Sequence, residues 1–305
     1  MEHYRSLNSF LREQFGEKVY KLAFDGGFTC PVRDGTKGDR GCIFCAGGSG
    51  DFSVPVGRDF SEAVEKAKAF VADKGAARYI AYFQSYTGTY APPERLCELY
   101  TQAIRHPEIA ALSIGTRPDC LGDEVTDLLS ELNTQKPVWI ELGLQTIHPA
   151  SATYIRRGYD LEVYDDAVRR LKDRNITTVA HMIIGLPGET PEMIRQTAQY
   201  IGESGVQGIK LQLLHVLRGT DLERDYLEGR FSTLSLEEYI RILEMCIESL
   251  PPGMVIHRLT GDGAKRSLIA PMWSADKKTV LNAINAAFDR DNVMQGSRLG
   301  AAGKN

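Results

Sequence analysis

Short runs of nearly unbroken apolar residues alternate along most of this chain with stretches whose apolar residues recur at helical spacing. Residues 19–24, 77–83, 110–115, 138–144, 177–184 and 209–214 read as strands. The stripes that follow them are Ala63, Val64, Ala67, Phe70 and Val71; Leu96, Cys97, Tyr100, Ala103 and Ile104; Val125, Leu128, Leu129 and Leu132; Tyr164, Ala167, Val168 and Leu171; Ile194, Thr197, Ala198 and Ile201; and Tyr239, Ile240, Leu243, Cys246 and Ile247. Thr190 with Pro191 opens the fifth helix, and Ser235-x-x-Glu238 forms a capping box at the start of the sixth. Strands separated by single helices pair in parallel through right-handed crossovers. Runs such as WIELGL and VAHMIIGL are apolar almost throughout, as strands covered on both faces must be. Six such units are two short of a closed eightfold barrel, so the expected architecture is α/β, a partial (βα)6 TIM-like barrel with a short C-terminal extension.

The expected organisation is an N-terminal helix over 1–17, the barrel over 18–250, and a C-terminal strand, helix and tail over 251–305 packed on it. A seventh strand at 254–259 and a helix with Val280, Leu281, Ile284, Ala287 and Phe288 belong to that extension. The Gly/Ala/Ser-rich tail, 295–305, is expected to fray. With 43% hydrophobic and 25% charged residues the chain falls outside the disordered and coiled-coil classes. No apolar run reaches the ~18 residues of a membrane span. The opening MEHYRSLNSFLREQFG is amphipathic and lacks a secretory apolar stretch, which points to the cytoplasm and to six cysteines that are thiols or metal ligands. A net charge of −4 excludes a basic coat while leaving room for a local nucleic-acid groove.

In parallel α/β folds the reacting groups gather on loops leaving the C-terminal ends of strands. The first such loop carries Cys30-x11-Cys42-x2-Cys45. Clustered thiols of this kind suit an iron–sulfur cluster with an exogenous ligand at its fourth iron, or zinc, or stand as free thiols. The loop holds no fourth Cys and no His, the nearest by sequence being His3 and His106. Cys97, Cys120 and Cys246 read as packed thiols, although Cys120 is also a candidate hydrogen-atom donor. Glu141, His181, Lys210, Gln212 and His215 interrupt apolar strands, where buried charge is costly unless paired or used; they read as satisfied core polar groups or as a polar barrel interior, in which Glu141, His181, Lys210 and His215 are catalytic candidates. Tyr82, Tyr86, Tyr90, Arg117, Asp119 and Arg218 add hydrogen-bonding and stacking capacity at the mouth. His257 and Arg258 either contact substrate or end the seventh strand.

The ordered series LAFDGGFTCPVRDGT, GCIFC, YFQSYTGTYAP, GTRPDCL, ELGLQTIH, RRGYD, HMIIGLPGET, LLHVLRGTDL and APMWSADK resembles the radical S-adenosylmethionine superfamily over nearly the whole chain. The commonest family spacing is C-x3-C-x2-C; the longer first gap here resembles the YhcC/YtqA-like branch, related to the catalytic subunit of Elongator. The resemblance implies a 4Fe-4S cluster on Cys30, Cys42 and Cys45, with S-adenosylmethionine chelating the fourth iron and giving a 5′-deoxyadenosyl radical on reduction. It further implies Phe44 beside the adenine, the segment with Gln84, Ser85 and Thr87 at the cofactor's amino group, and Ser113 and Thr116 near the ribose. Gln145 matches a GxQ element, Arg157 is the expected partner of the cofactor carboxylate, and Gly185 borders the adenine. The acidic tripeptide that related enzymes carry at the second loop is absent. Implied partners are a reductant such as flavodoxin or ferredoxin and transfer RNA, whose wobble-uridine side chain would pass from carboxymethylaminomethyl to aminomethyl. The set Arg156, Arg157, Arg169, Arg170, Lys172 and Arg174 is a candidate phosphate track, with a solvated helix face as the simpler reading. A radical enzyme acting on a small metabolite and a non-catalytic iron–sulfur or zinc scaffold are the alternatives.

Overall fold

A computed structural model of the chain describes residues 2–47, 52–261 and 266–299. The strands are β1 (Val19–Asp25), β2 (Val54–Pro55), β3 (Arg78–Phe83), β4 (Ile109–Thr116), β5 (Val138–Gln145), β6 (Thr177–Ile184), β7 (Gly208–Leu213), β8 (Val216–Leu217), β9 (Val255–Arg258) and β10 (Leu268–Ala270). The helices are α1 (Leu7–Phe15), α2 (Phe60–Ala69), α3 (Pro93–Arg105), α4 (Asp123–Asn133), α5 (Pro149–Tyr154), α6 (Leu161–Asp173), α7 (Pro191–Glu203), α8 (Asp221–Leu227), α9 (Leu236–Ser249) and α10 (Lys277–Asp291). Eight strands form one curled sheet in the order β2-β1-β3-β4-β5-β6-β7-β9, every pair parallel, and the fold is an α/β half-barrel. β8 and β10 pair antiparallel apart from it.

Every residue of β4 is buried, as a strand covered on both faces requires. On the convex side Phe24, Phe83, Leu96, Tyr100, Tyr164, Ile194, Tyr239 and Phe288 join one core between sheet and helices. The caps read from the sequence form: Thr190 accepts from Met193 N at the start of α7, and Ser235 and Glu238 exchange bonds at the start of α9. On the concave side Leu11 of α1 packs with Val19, Ile80, Ala111 and Trp139, so α1 covers the end where the strands begin. Arg5 O accepts from Ile256 N at 2.9 Å, fixing the segment before α1 to β9.

Three expectations are corrected. Phe70 is exposed, because α2 ends at Ala69 and the helical period stops with it. Cys97 is exposed too, its sulfur 3.9 Å from Thr101 Oγ1; the buried stripe of α3 is Leu96, Tyr100, Ala103 and Ile104, and Cys97 lies about 100° round the helix from Leu96. Gln295 is anchored instead of frayed: its backbone N donates to His3 O at 2.9 Å, its Oε1 accepts from Arg5 N at 2.8 Å, and its Nε2 donates to Pro251 O and Met254 O at 2.6 and 2.8 Å. The anchoring continues through 296–299, where Gly296 N and Arg298 N donate to Ile247 O and Glu248 O at 3.2 and 3.0 Å, while 300–305 of the expected fraying segment lie outside the described residues. β2, β8, β10, α5 and α8 were not anticipated, being too short to show a period.

Candidate active site

The loop after β1 turns tightly at Cys30, whose carbonyl accepts from Arg33 N and Asp34 N at 2.8 and 3.2 Å. It closes again where Cys45 N donates to Cys42 O at 3.0 Å. Gly41 makes the crossing between them possible: its φ is +72°, and a Cβ there would meet the Arg33 side chain at 2.6 Å. Two helices brace the loop, with Ile43 N bonded to Ile155 O beside α5 and Leu222 N of α8 bonded to Ile43 O. Thr87 N donates to Thr29 O at 3.2 Å, tying the loop after β3 to the cysteine loop.

Cys30, Cys42 and Cys45 line one cavity of about 440 Å3 at the C-terminal ends of the strands. No set of three ligating side chains among the described residues converges on a single metal ion. A zinc site needs its ligands within about 2.3 Å of one centre, whereas a cluster takes each thiolate on a separate iron. Burial pushes the Cys42 thiol up to about 12, and the neighbouring Cys45 and Cys30 add to it, while Arg117 and Arg33 oppose. Three sulfurs crowded on one loop, with Cys42 buried among them, are a donor set that a cationic iron–sulfur core would deprotonate and hold. These residues therefore fit the group. Gln145 supports the fit: in the left-handed region at φ 70°, it lines the cavity with a buried Oε1 that has no hydrogen-bond partner.

Phe44, Gln84, Thr87, Thr116, Gln145 and Arg157 all line this cavity. Arg157 donates from Nε to Tyr159 O at 3.0 Å and from Nη1 to Thr146 O at 2.6 Å, leaving Nη2 without a bond among the described residues. Ser85 is buried away from the lining, Ser113 donates to Glu141 Oε1 at 2.7 Å, and Gly185, at φ +93°, faces Leu234. Cys120 is also outside the lining, with burial and then Asp119 pushing its thiol up to about 12. Arg117 lines the cavity but grips Asp119 with two bonds of 2.9 Å. Tyr82 and Tyr86 line the cavity; Tyr90 and Arg218 do not.

The interior candidates meet around one carboxylate. Glu141 on β5 is fully buried. Its Oε1 accepts from Lys21 Nζ at 2.5 Å and Ser113 Oγ, and its Oε2 lies 2.7 Å from His181 Nε2 and in contact with Lys210 Nζ. Burial alone would raise Glu141, but Lys21, Lys210 and the His181 bond hold it well below the usual carboxylate range. Burial lowers His181 to about 4, with Lys210 adding and Glu141 opposing. Burial likewise lowers Lys210 to about 7 against the attraction of Glu141. Gln212 and His215 line the cavity, His215 with its ring against Gly261. Lys21, the one charge within the run Val19–Phe24 of β1, is the member sequence reasoning missed.

The candidate phosphate track does not assemble. Arg156 pairs with Asp221 at 2.6 Å, Arg169 and Arg170 with Asp166 at 2.5 and 2.7 Å, and Arg174 with Asp127 at 2.8 Å, while Arg157 is buried.

Comparison with known proteins adds to this geometry. The description "Radical SAM superfamily" matches residues 35–201 and "Radical_SAM C-terminal domain" matches 206–290. The chain is 43% identical over 297 residues to the protein YtqA of Bacillus subtilis, covering 97% of this chain and 92% of that one. A stretch of 155 residues, 50% of this chain and 28% of the other, is 28% identical to the tRNA uridine(34) acetyltransferase of Methanocaldococcus jannaschii. Among solved structures, the archaeal Methanocaldococcus infernus Elp3 shares the fold with a TM-score of 0.67 at 15% identity, over 91% of this chain and 64% of that one.

Proposed function

This chain belongs to the radical S-adenosylmethionine superfamily, enzymes that use a 4Fe-4S cluster and S-adenosylmethionine, and on that premise we propose that it modifies the C5 side chain of the wobble uridine in transfer RNA, taking carboxymethylaminomethyl to aminomethyl. The observation that carries the reading is that Cys30, Cys42 and Cys45 share one cavity with the Glu141, His181 and Lys210 group. The half-chain likeness to a protein named for uridine 34 of tRNA supports the substrate.

In this reading Cys30, Cys42 and Cys45 hold the cluster. When bound and reduced by a partner such as flavodoxin or ferredoxin, cluster and cofactor supply the 5′-deoxyadenosyl radical for hydrogen abstraction. The chain's own residues do the rest. Arg157 offers the unused nitrogen of its guanidinium to the cofactor carboxylate, Gln145 presents its unpaired Oε1 to an amine or hydroxyl, and Phe44 packs beside the adenine. Gln84, Thr87 and Thr116 complete the polar wall. Of the catalytic candidates, Glu141, His181, Lys210 and His215 face the cavity, and Cys120 does not. A small carboxylated metabolite is the second reading, favoured by the pairing of Arg156, Arg169, Arg170 and Arg174 with carboxylates.

Anaerobic reconstitution should give the broad visible absorbance of an iron–sulfur cluster, and dithionite with S-adenosylmethionine should then release 5′-deoxyadenosine. Cys42→Ala should lose both. Nucleoside mass spectrometry of tRNA from a deletion strain should show carboxymethylaminomethyluridine accumulating at the expense of aminomethyluridine and its derivatives. An unchanged profile where no parallel pathway operates overturns the tRNA substrate in favour of the metabolite.

A further inference from the structure

Midway along the strands, beneath the loops that bear the cysteines, one carboxylate faces more cation than it balances. Glu141 meets both Lys21 and Lys210, while Arg258 stands opposite Lys210 in the β7–β9 register. His181 adds a neutral hydrogen bond, since burial lowers it to about 4. Fully protonated, Lys21 and Lys210 set two ammonium charges against the single carboxylate of Glu141. A buried surplus charge is costly until a counter-charge arrives or a proton leaves. Lys210 is the side chain through which that surplus is relieved, because burial lowers it to about 7.

Lys210 also has a donor to spare. An ammonium carries three N–H groups. One meets Glu141, a second meets the Tyr82 hydroxyl at 2.8 Å, and no further acceptor lies within reach among the described residues. Lys210, Tyr82, His181 and Arg258 all line the cavity, whereas Lys21 does not. Both the vacant donor and the cationic excess therefore face the cavity.

We propose that Lys210, with Tyr82 and Arg258 beside it, receives a carboxylate group of the substrate at the inner end of the cavity. This rests on the reading that the cavity is the reaction chamber with the cysteine loop at its mouth. One spare ammonium donor suits a singly charged carboxylate better than a phosphate dianion, which needs more donors and more charge. The carboxymethyl end of the uridine side chain is such a group, and a carboxylated metabolite would use the same position. Lys210 thereby fixes the anionic end of the substrate and holds the adjacent carbon at a constant height in the barrel.

Binding is linked to a proton. The groups facing Lys210 are Lys21 on β1, Tyr82 on β3, Glu141 on β5, His181 on β6, and His257 and Arg258 on β9. Burial holds His257 and His181 neutral at pH 7, and Glu141 is ionised, so Lys210 is the group that takes up the proton when the anion binds near neutrality.

The test is isothermal titration calorimetry of the full chain with N-acetylglycine, N-acetylglycinamide and methyl phosphate, in two buffers of different ionisation enthalpy. Expected are saturable binding of N-acetylglycine with uptake of a fraction of a proton at pH 7, approaching one proton at pH 8, and an affinity that falls about tenfold per pH unit once Lys210 is deprotonated. Lys210→Met should weaken the acid at least about tenfold, Lys210→Arg should retain most of the affinity, and the amide should bind weakly throughout. Equal binding of acid and amide, no saturable binding of the acid, tighter Lys210-dependent binding of methyl phosphate, or unchanged affinity in Lys210→Met each overturns the proposal. If Lys210→Met does not fold, Tyr82→Phe and the wild-type pH series decide it: an affinity for the acid that does not change from pH 6 to 9 overturns it. The titration needs neither cluster nor RNA. An unchanged tRNA profile with intact N-acetylglycine binding removes the uridine substrate alone.

Discussion

Glu141 gathers donors from four strands: Lys21 of β1, Ser113 of β4, His181 of β6 and Lys210 of β7. Glu141→Gln keeps the volume but leaves two ammonium groups facing a neutral amide. Removing one partner of a buried ion pair typically costs about 3–5 kcal/mol, so chemical denaturation should show a loss of that size, and Lys21→Met added to Glu141→Gln should recover part of it. A loss below about 1 kcal/mol would show that the interior is solvated and the network weak. Glu141, His181 and Lys210 were legible as polar interruptions of apolar strands, but Lys21 was not. The stretch Val19-Tyr20-Lys21-Leu22 alternates enough to pass for a strand with one wet face, and only the curl of the sheet turns that face inward.

The βα alternation was readable element by element because strands and long helices carry their period in several residues each. α5 and α8 were not, since six and seven residues leave too few turns to show a stripe. They nevertheless position the site, because they hold both sides of Ile43 between Cys42 and Cys45. α1 was expected only as an N-terminal helix, and its role as a floor beneath Trp139 follows from packing. Leu11→Ala should open a cavity there and cost about 2–5 kcal/mol. A thermal melt that shifts by less than 1 °C would show that α1 is a loose appendage.

On the scale of the molecule, the two ends of the described chain are tied together. His3 bonds Val293 O through Nδ1 at 2.8 Å, and Gln295 bonds His3, Arg5, Pro251 and Met254. Gln295→Ala leaves two carbonyls and one N–H without that partner. The expected cost is about 1–3 kcal/mol, read as a lowered Tm, and an unchanged Tm would mean that water replaces the amide freely. The Gly/Ala/Ser composition after Gln295 pointed to fraying because composition records average behaviour and misses one side chain with several partners. No helix among the described residues is long and apolar enough to cross a membrane.

By itself the sequence determined the parallel sheet, the strand-end position of the loops and the grouping of three cysteines in one of them. These follow from local periodicity and chain order. The tertiary structure decided which polar side chains meet: Lys21 and Glu141 are 120 residues apart, and Lys210 and Tyr82 are 128. It also decided that the arginines of α6 and of its C-cap are paired with carboxylates and not arrayed for phosphate. Such pairings depend on strand register and sheet curvature, which arise only when the whole core packs at once.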